Sequence, residues 1–167
     1  MNEKLRAIYL NDHLAGATAG CELAKRAAGS NEGTELGSFL EGLAGEIEED
    51  REALEDVMDR LGVRGDPLKR TFAWGAEKLG RLKPNGQLLG YSPLSRLVEL
   101  EGLHIGVAGK LSLWQVLRAT SSAELDGVAL DRLVARAERQ LNALEPFRLE
   151  AAREAFEADA AVRPLDD

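Results

Sequence analysis

The sequence predicts an all-α domain of four long helices. Three observations carry this expectation. Ala, Leu, Glu and Arg dominate, Val and Ile are scarce, and Phe, Trp and Tyr make up only 5% of residues, a balance that favours helix over sheet. Apolar residues recur at helical spacing through four long stretches. Gly, Pro or a capping Ser, Thr or Asp marks the stretch boundaries.

The first helix is expected from Glu3 to Ala28, closed by the loop Gly29-Ser30-Asn31-Glu32-Gly33. Its inward stripe reads Leu5, Tyr9, Asp12, Gly16, Ala19, Leu23. Cys21 then points away from the stripe, His13 flanks it, and Tyr9 is placed to hydrogen-bond Asp12 or to pack. Gly16 and Gly20 each lower helix propensity by about 1 kcal/mol relative to Ala, which suggests close approach of another backbone.

The second helix starts at the cap Thr34, with Glu35 in the dipole-favoured first turn, and ends at Leu61-Gly62. Its stripe is Leu36, Phe39, Leu40, Leu43, Ile47, Asp50, Leu54, Val57, Met58 and Leu61, with Glu46 at the edge. Residues 62–91 form a long crossover. Asp66-Pro67 opens a short helix running to about Leu79, and Lys83-Pro-Asn-Gly86 reads as a turn.

Ser92-Pro93 opens the third helix, expected to reach Ala119 and to be the most buried. Leu97, Leu100, His104, Val107 and Leu111 form one face, with Glu101 and Ala108 beside it. Gly102, Gly106, Gly109, Leu113 and Leu117 form a second face. That face needs a cover: either residues 66–90, through Phe72, Trp74 and Leu88, or a second copy of the chain in a homodimer. Trp74 and Trp114 read as packing residues.

The fourth helix runs from Gly127 to Ala158 through Leu130, Leu133, Val134, Ala137, Leu141, Leu144, Arg148, Ala151, Ala152 and Ala155, with a kink expected at Pro146. Residues 159–167 read as a frayed tail. The long central crossover makes the second and third helices parallel, an up-down-down-up order.

The chain of 167 residues, 44% hydrophobic and 30% charged, is long enough for one domain with a sizeable core. Its net charge of −8 argues against nucleic acid or an anionic membrane as partner. A single cysteine, no apolar signal core and no membrane-length apolar window fit a soluble cytoplasmic protein. No phosphate-binding loop, nucleophile elbow or metalloprotease motif is present.

The inward carboxylates make a resemblance readable. Tyr9–Gly20, Glu46–Arg51 and Tyr91–Glu101, set in this four-helix pattern, resemble the ferritin-like superfamily, and within it a group of small, uncharacterised bacterial ferritin-like proteins. Di-iron members take one Glu from each of two helices and a Glu-x-x-His from each of the others. Glu101-x-x-His104 matches this pattern. Asp12 stands where Glu is expected, the second helix offers Glu46, Glu49 and Asp50, and Glu145-x-x-Arg148 carries Arg in place of the second His. A guanidinium repels a divalent metal.

Three readings follow. The first is a non-enzymatic structural or interaction protein, in which Asp12, Asp50, Glu101 and His104 form a buried ion network with Arg148. The second is a degenerate site for Fe, Mn or Zn on Asp12, Asp50, Glu101 and His104. The third is a small apolar ligand held where Gly16, Ala19 and Gly20 leave space in the core.

Overall fold

The computed structural model describes residues 2–65, 91–120, 123, 125 and 128–157. These hold four helices, α1 Glu3–Ser30, α2 Glu35–Arg60, α3 Pro93–Thr120 and α4 Leu130–Glu157, and no strand. No helix among the described residues is long and apolar enough to cross a membrane. The expected crossover helix, its covering side chains and the frayed tail lie outside the described residues.

Local chemistry sets the helix starts. A free backbone N–H at each N-terminus needs an acceptor. Asn2 Oδ1 accepts from Leu5 N at 3.3 Å, Thr34 Oγ1 from Gly37 N at 3.0 Å, and Ser92 Oγ from Ser95 N at 3.1 Å. The α1–α2 turn is tight. Asn31 O accepts both the amide and the hydroxyl of Thr34, and Gly33 takes a positive φ of 78°. Helix α4 begins at Leu130, three residues later than expected, because the chain first turns around the buried Leu125, whose carbonyl accepts from Val128 N. It continues through Pro146 to Glu157.

Contacts between helix ends define how the four helices run. Arg26 near the end of α1 meets Glu99 near the start of α3, while Leu5 and Tyr9 lie opposite Val116 and Thr120. Arg96 pairs with Glu154 and Arg118 with Asp131, so α3 and α4 are also antiparallel. The Phe39 and Phe147 rings stack 4.8 Å apart, and Glu49 meets Arg136, so α2 and α4 oppose each other too. Packing is densest within the α1–α2 and α3–α4 pairs. The core contains Leu10, Leu40, Leu54, Met58, Leu100 and Trp114, each fully buried.

Two expectations change. The buried face of α1 is Leu10, Asn11, Leu14, Cys21, Ala24, Ala27 and Ala28, not the stripe through Asp12. Leu5 is 62% exposed, Asp12 and Gly16 are exposed, and Cys21 faces inward. Ala and Gly occur on both sides of this helix, so its hydrophobic contrast is too weak to fix the inward direction. Helix α3 is not buried all round. Ile105 is 71% exposed, with Val98 and Val116 also at the surface.

Candidate functional site

Asp50 comes inward because Ile47, Leu54 and Val57 share its face of α2 and pack into the core. It is 2% exposed. A buried carboxylate needs partners, and two cations supply them. Lys110 Nζ of α3 donates to Asp50 Oδ2, and Arg136 Nη2 of α4 donates to Asp50 Oδ1. Gln140 joins the group. Its Oε1 accepts from Lys110 at 2.6 Å, while Nε2 donates to Glu46 Oε2 at 2.7 Å and Asp50 Oδ2 at 3.4 Å. Arg136 also reaches Glu49 at 2.6 Å. Burial pushes the Lys110 pKa down, and the Asp50 carboxylate opposes that fall.

The other expected site residues lie elsewhere. Glu101 is exposed and His104 half-buried on the side of α3 that meets α4. Arg148 forms a two-pronged pair with Glu145, at 2.8 and 2.7 Å, and lies 3.6 Å from Glu101. His104 Nε2 is 3.9 Å from Glu145 Oε2. Arg148 holds the Glu145 carboxyl below its usual pKa range.

Asp12 lies on the exposed side of α1. It shares a cavity with Asp50 but not with Glu101 or His104. The expected network joining Arg148 to Asp12 and Asp50 is therefore divided in two. The inner centre is Asp50–Lys110–Arg136–Gln140, and the outer cluster is Glu101–His104–Glu145–Arg148. Among the described residues, no three His, Cys, Asp or Glu side chains are placed to hold a metal ion.

Sequence reasoning missed Lys110, Arg136 and Gln140. A signal existed for Lys110, the one Lys or Arg between Arg96 and Arg118 in an otherwise apolar stretch of α3. Gln140 gave a weaker one, one turn from both Ala137 and Leu144 on the inward stripe of α4. Arg136 looked like any exposed helix charge. It also missed a tie between the far ends of α1 and α3. Asn31 Nδ2 donates to Tyr91 Oη at 3.0 Å, Tyr91 Oη donates to Glu99 at 2.9 Å, and Arg26 donates to Glu99 at 3.0 Å. Burial, with the Glu99 carboxylate beside it, pushes the Tyr91 hydroxyl up to about 12.

A cavity of about 190 Å³ opens between α1 and α3 and reaches α2. Gly16, Gly20, Gly102, Gly106 and Gly109 line it. A Cβ added at Gly16, Gly106 or Gly109 would meet nothing within 4 Å, so these glycines leave open space. At Gly20 a Cβ would sit 4.0 Å from Ile47, and at Gly102 it would sit 3.0 Å from Leu23. Asp50, Lys110 and Trp114 also line the cavity.

The chain matches no protein-family model, no curated protein and no solved structure.

Proposed function

We propose that the chain is a ferritin-like bundle, up-down-down-up in order, acting as a non-enzymatic structural or interaction protein whose polar centre is closed by its own cations. The observation that carries this reading is the pairing of Asp50 with both Lys110 and Arg136. A divalent metal at Asp50 would sit against two fixed positive charges and would have to displace them. The Glu-x-x-His half-motif lends no help, because Glu101 and His104 lie on a different side of the bundle, in the cluster organised by Arg148.

Elemental analysis tests this. The protein is purified without chelator, incubated with Fe(II), Mn(II) or Zn(II), and desalted. The expected content is well below one metal per chain. Stoichiometric metal that disappears in Asp50→Asn or His104→Ala would establish the metal-binding reading instead. The homodimer expected through Gly102, Gly106, Gly109, Leu113 and Leu117 cannot use Leu113 and Leu117, which are buried within the chain, so the surface proposed for it is the exposed Val98, Ile105 and Val116 of α3. A single-chain mass by light scattering at high concentration counts against it.

A further inference from the structure

We infer that two copies of the chain pair through α3 in an antiparallel, two-fold symmetric contact centred on Val107, in which Ile105 of each copy fills the space above the partner's Gly109. This register rests on the homodimer proposed through Val98, Ile105 and Val116.

The outermost ridge of α3 is Val98, Gly102, Ile105, Gly109, Ser112 and Val116, spaced alternately four and three residues apart. Such spacing averages about 3.5 residues and keeps one stripe of a helix facing a partner helix. All six residues are exposed or half-exposed, and none is charged. Val98 is 49% exposed, Ile105 71% and Val116 42%. Ser112 donates its hydroxyl to Ala108 O at 3.0 Å, so it brings no unmet donor to the contact. A continuous exposed apolar line of this kind marks a protein contact.

Reversed, the ridge complements itself. Its spacing reads the same in both directions about Val107. Set antiparallel, Ile105 faces the partner's Gly109, Gly102 faces the partner's Ser112, and Val98 faces the partner's Val116. A Cβ added at Gly109 would meet nothing within 4 Å, so the space for Ile105 is open. Set parallel, each residue would face its own copy. Ile105 would then press on Ile105, with paired glycines leaving gaps on both sides of it. Large against small fills both central layers evenly, as close packing requires. Each contact made by one copy is also made by the other, which is the condition for a closed two-fold dimer.

The area suffices for a stable pair. Helices α1 and α3 lie side by side and antiparallel, so the rotation that lays α3 on the partner's α3 also lays α1 on the partner's α1. Each helix has 28 residues, about 42 Å of length, and the two together are about 20 Å wide. That face is roughly 800 Å², what each partner contributes to a standard interface. Its middle is poor in charge, although 30% of the chain is charged. Helix α1 has no Asp, Glu, Lys or Arg from His13 to Cys21, and between Gly102 and Leu117 α3 has only Lys110, which turns inward to Asp50.

Light scattering and cysteine crosslinking of the full chain test the inference. The wild type is expected at the mass of two chains. Ile105→Arg sets a cation on the apolar contact and is expected to halve that mass, while circular dichroism shows that the variant is still helical. The double variant Val98→Cys with Val116→Cys is expected to form a covalent dimer on mild oxidation, because the two positions face each other across the contact. Val98→Cys alone is expected to form none, since its two copies stand about 27 Å apart along the helix axis, far beyond disulfide reach. The same holds for Val116→Cys alone. Cys21 is buried, so the oxidised wild type serves as the uncrosslinked control.

A wild type of single-chain mass overturns the homodimer and this register together. If Ile105→Arg also lowers the melting temperature of that single chain, the chain covers the ridge itself and no second copy is seated there. A wild-type dimer that survives Ile105→Arg leaves the homodimer standing and overturns the ridge as its contact. A dimer that Ile105→Arg breaks, but that Val98→Cys alone crosslinks as fully as the double variant, overturns the antiparallel register alone.

Discussion

Lys110 on α3 and Asp50 on α2 meet across the bundle diagonal, joining two helices that run in the same direction. Neither belongs to the other's hairpin, and their contact spans 60 residues of sequence. The pair, with Arg136 and Gln140, ties α2, α3 and α4 together at one level of the core.

Removing one charge from this centre should be severe. Asp50→Ala leaves Lys110 and Arg136 without their shared counterion, and a loss of roughly 3–5 kcal/mol in urea-induced unfolding is expected. Arg148→Ala, in the outer cluster where solvent screens the charges, should lose far less than Asp50→Ala. Equal losses for the two would refute the division between an inner and an outer network.

Cys21 should be inert in the native state. Its thiol is 3% exposed, and burial together with the nearby Glu48 carboxylate pushes its pKa up to about 12. Only the thiolate is strongly nucleophilic. Iodoacetamide near neutral pH should leave the folded protein unlabelled while labelling the denatured chain. Native labelling at the rate of an open thiol would contradict this placement.

Acid should weaken the α1–α2 pair through Glu48. Arg51 and Lys25 hydrogen-bond its carboxylate and hold its pKa at about 2, against about 4.3 for a free glutamate. A lowered folded-state pKa adds stability above the unfolded value, and that stability is lost as pH falls through the folded one. The wild type should therefore be more stable than Glu48→Gln above about pH 5, and the gap should close towards about pH 2. Melting temperatures of both proteins across that range provide the check.

Two glycine-to-alanine changes should act in opposite directions. At Gly37 a Cβ would stand 2.1 Å from Asn31 O and 2.8 Å from Asn31 C, so the tight turn before α2 must shift. A loss of about 1–3 kcal/mol is expected. At Gly106 a Cβ meets nothing within 4 Å, and Ala should stabilise α3 by about 0.5–1 kcal/mol. Denaturation midpoints that move the same way would show that the local geometry is misread.

Helix identity was legible in the chain itself. Thr34 and Ser92 are short polar caps ahead of helical periodicity, and both cap as their chemistry requires. The contrast between apolar and charged faces of α2 is strong enough to turn Asp50 inward before any partner is known. Helix α1 lacks that contrast. Its Ala and Gly residues suit either a buried or an exposed position, so only packing against α2 and α3 put Leu10, Leu14 and Cys21 inside and Asp12 outside.

The sequence by itself determined four helices, most of their boundaries and a carboxylate on an inward face. Only the tertiary structure decided what that carboxylate meets. Lys110 and Arg136 come from helices 60 and 86 residues away, and nothing periodic in their own surroundings declares the pairing. The cavity is tertiary for the same reason. A glycine lowers helix propensity wherever it sits, but whether the missing side chain leaves close contact or open space depends on the helix opposite.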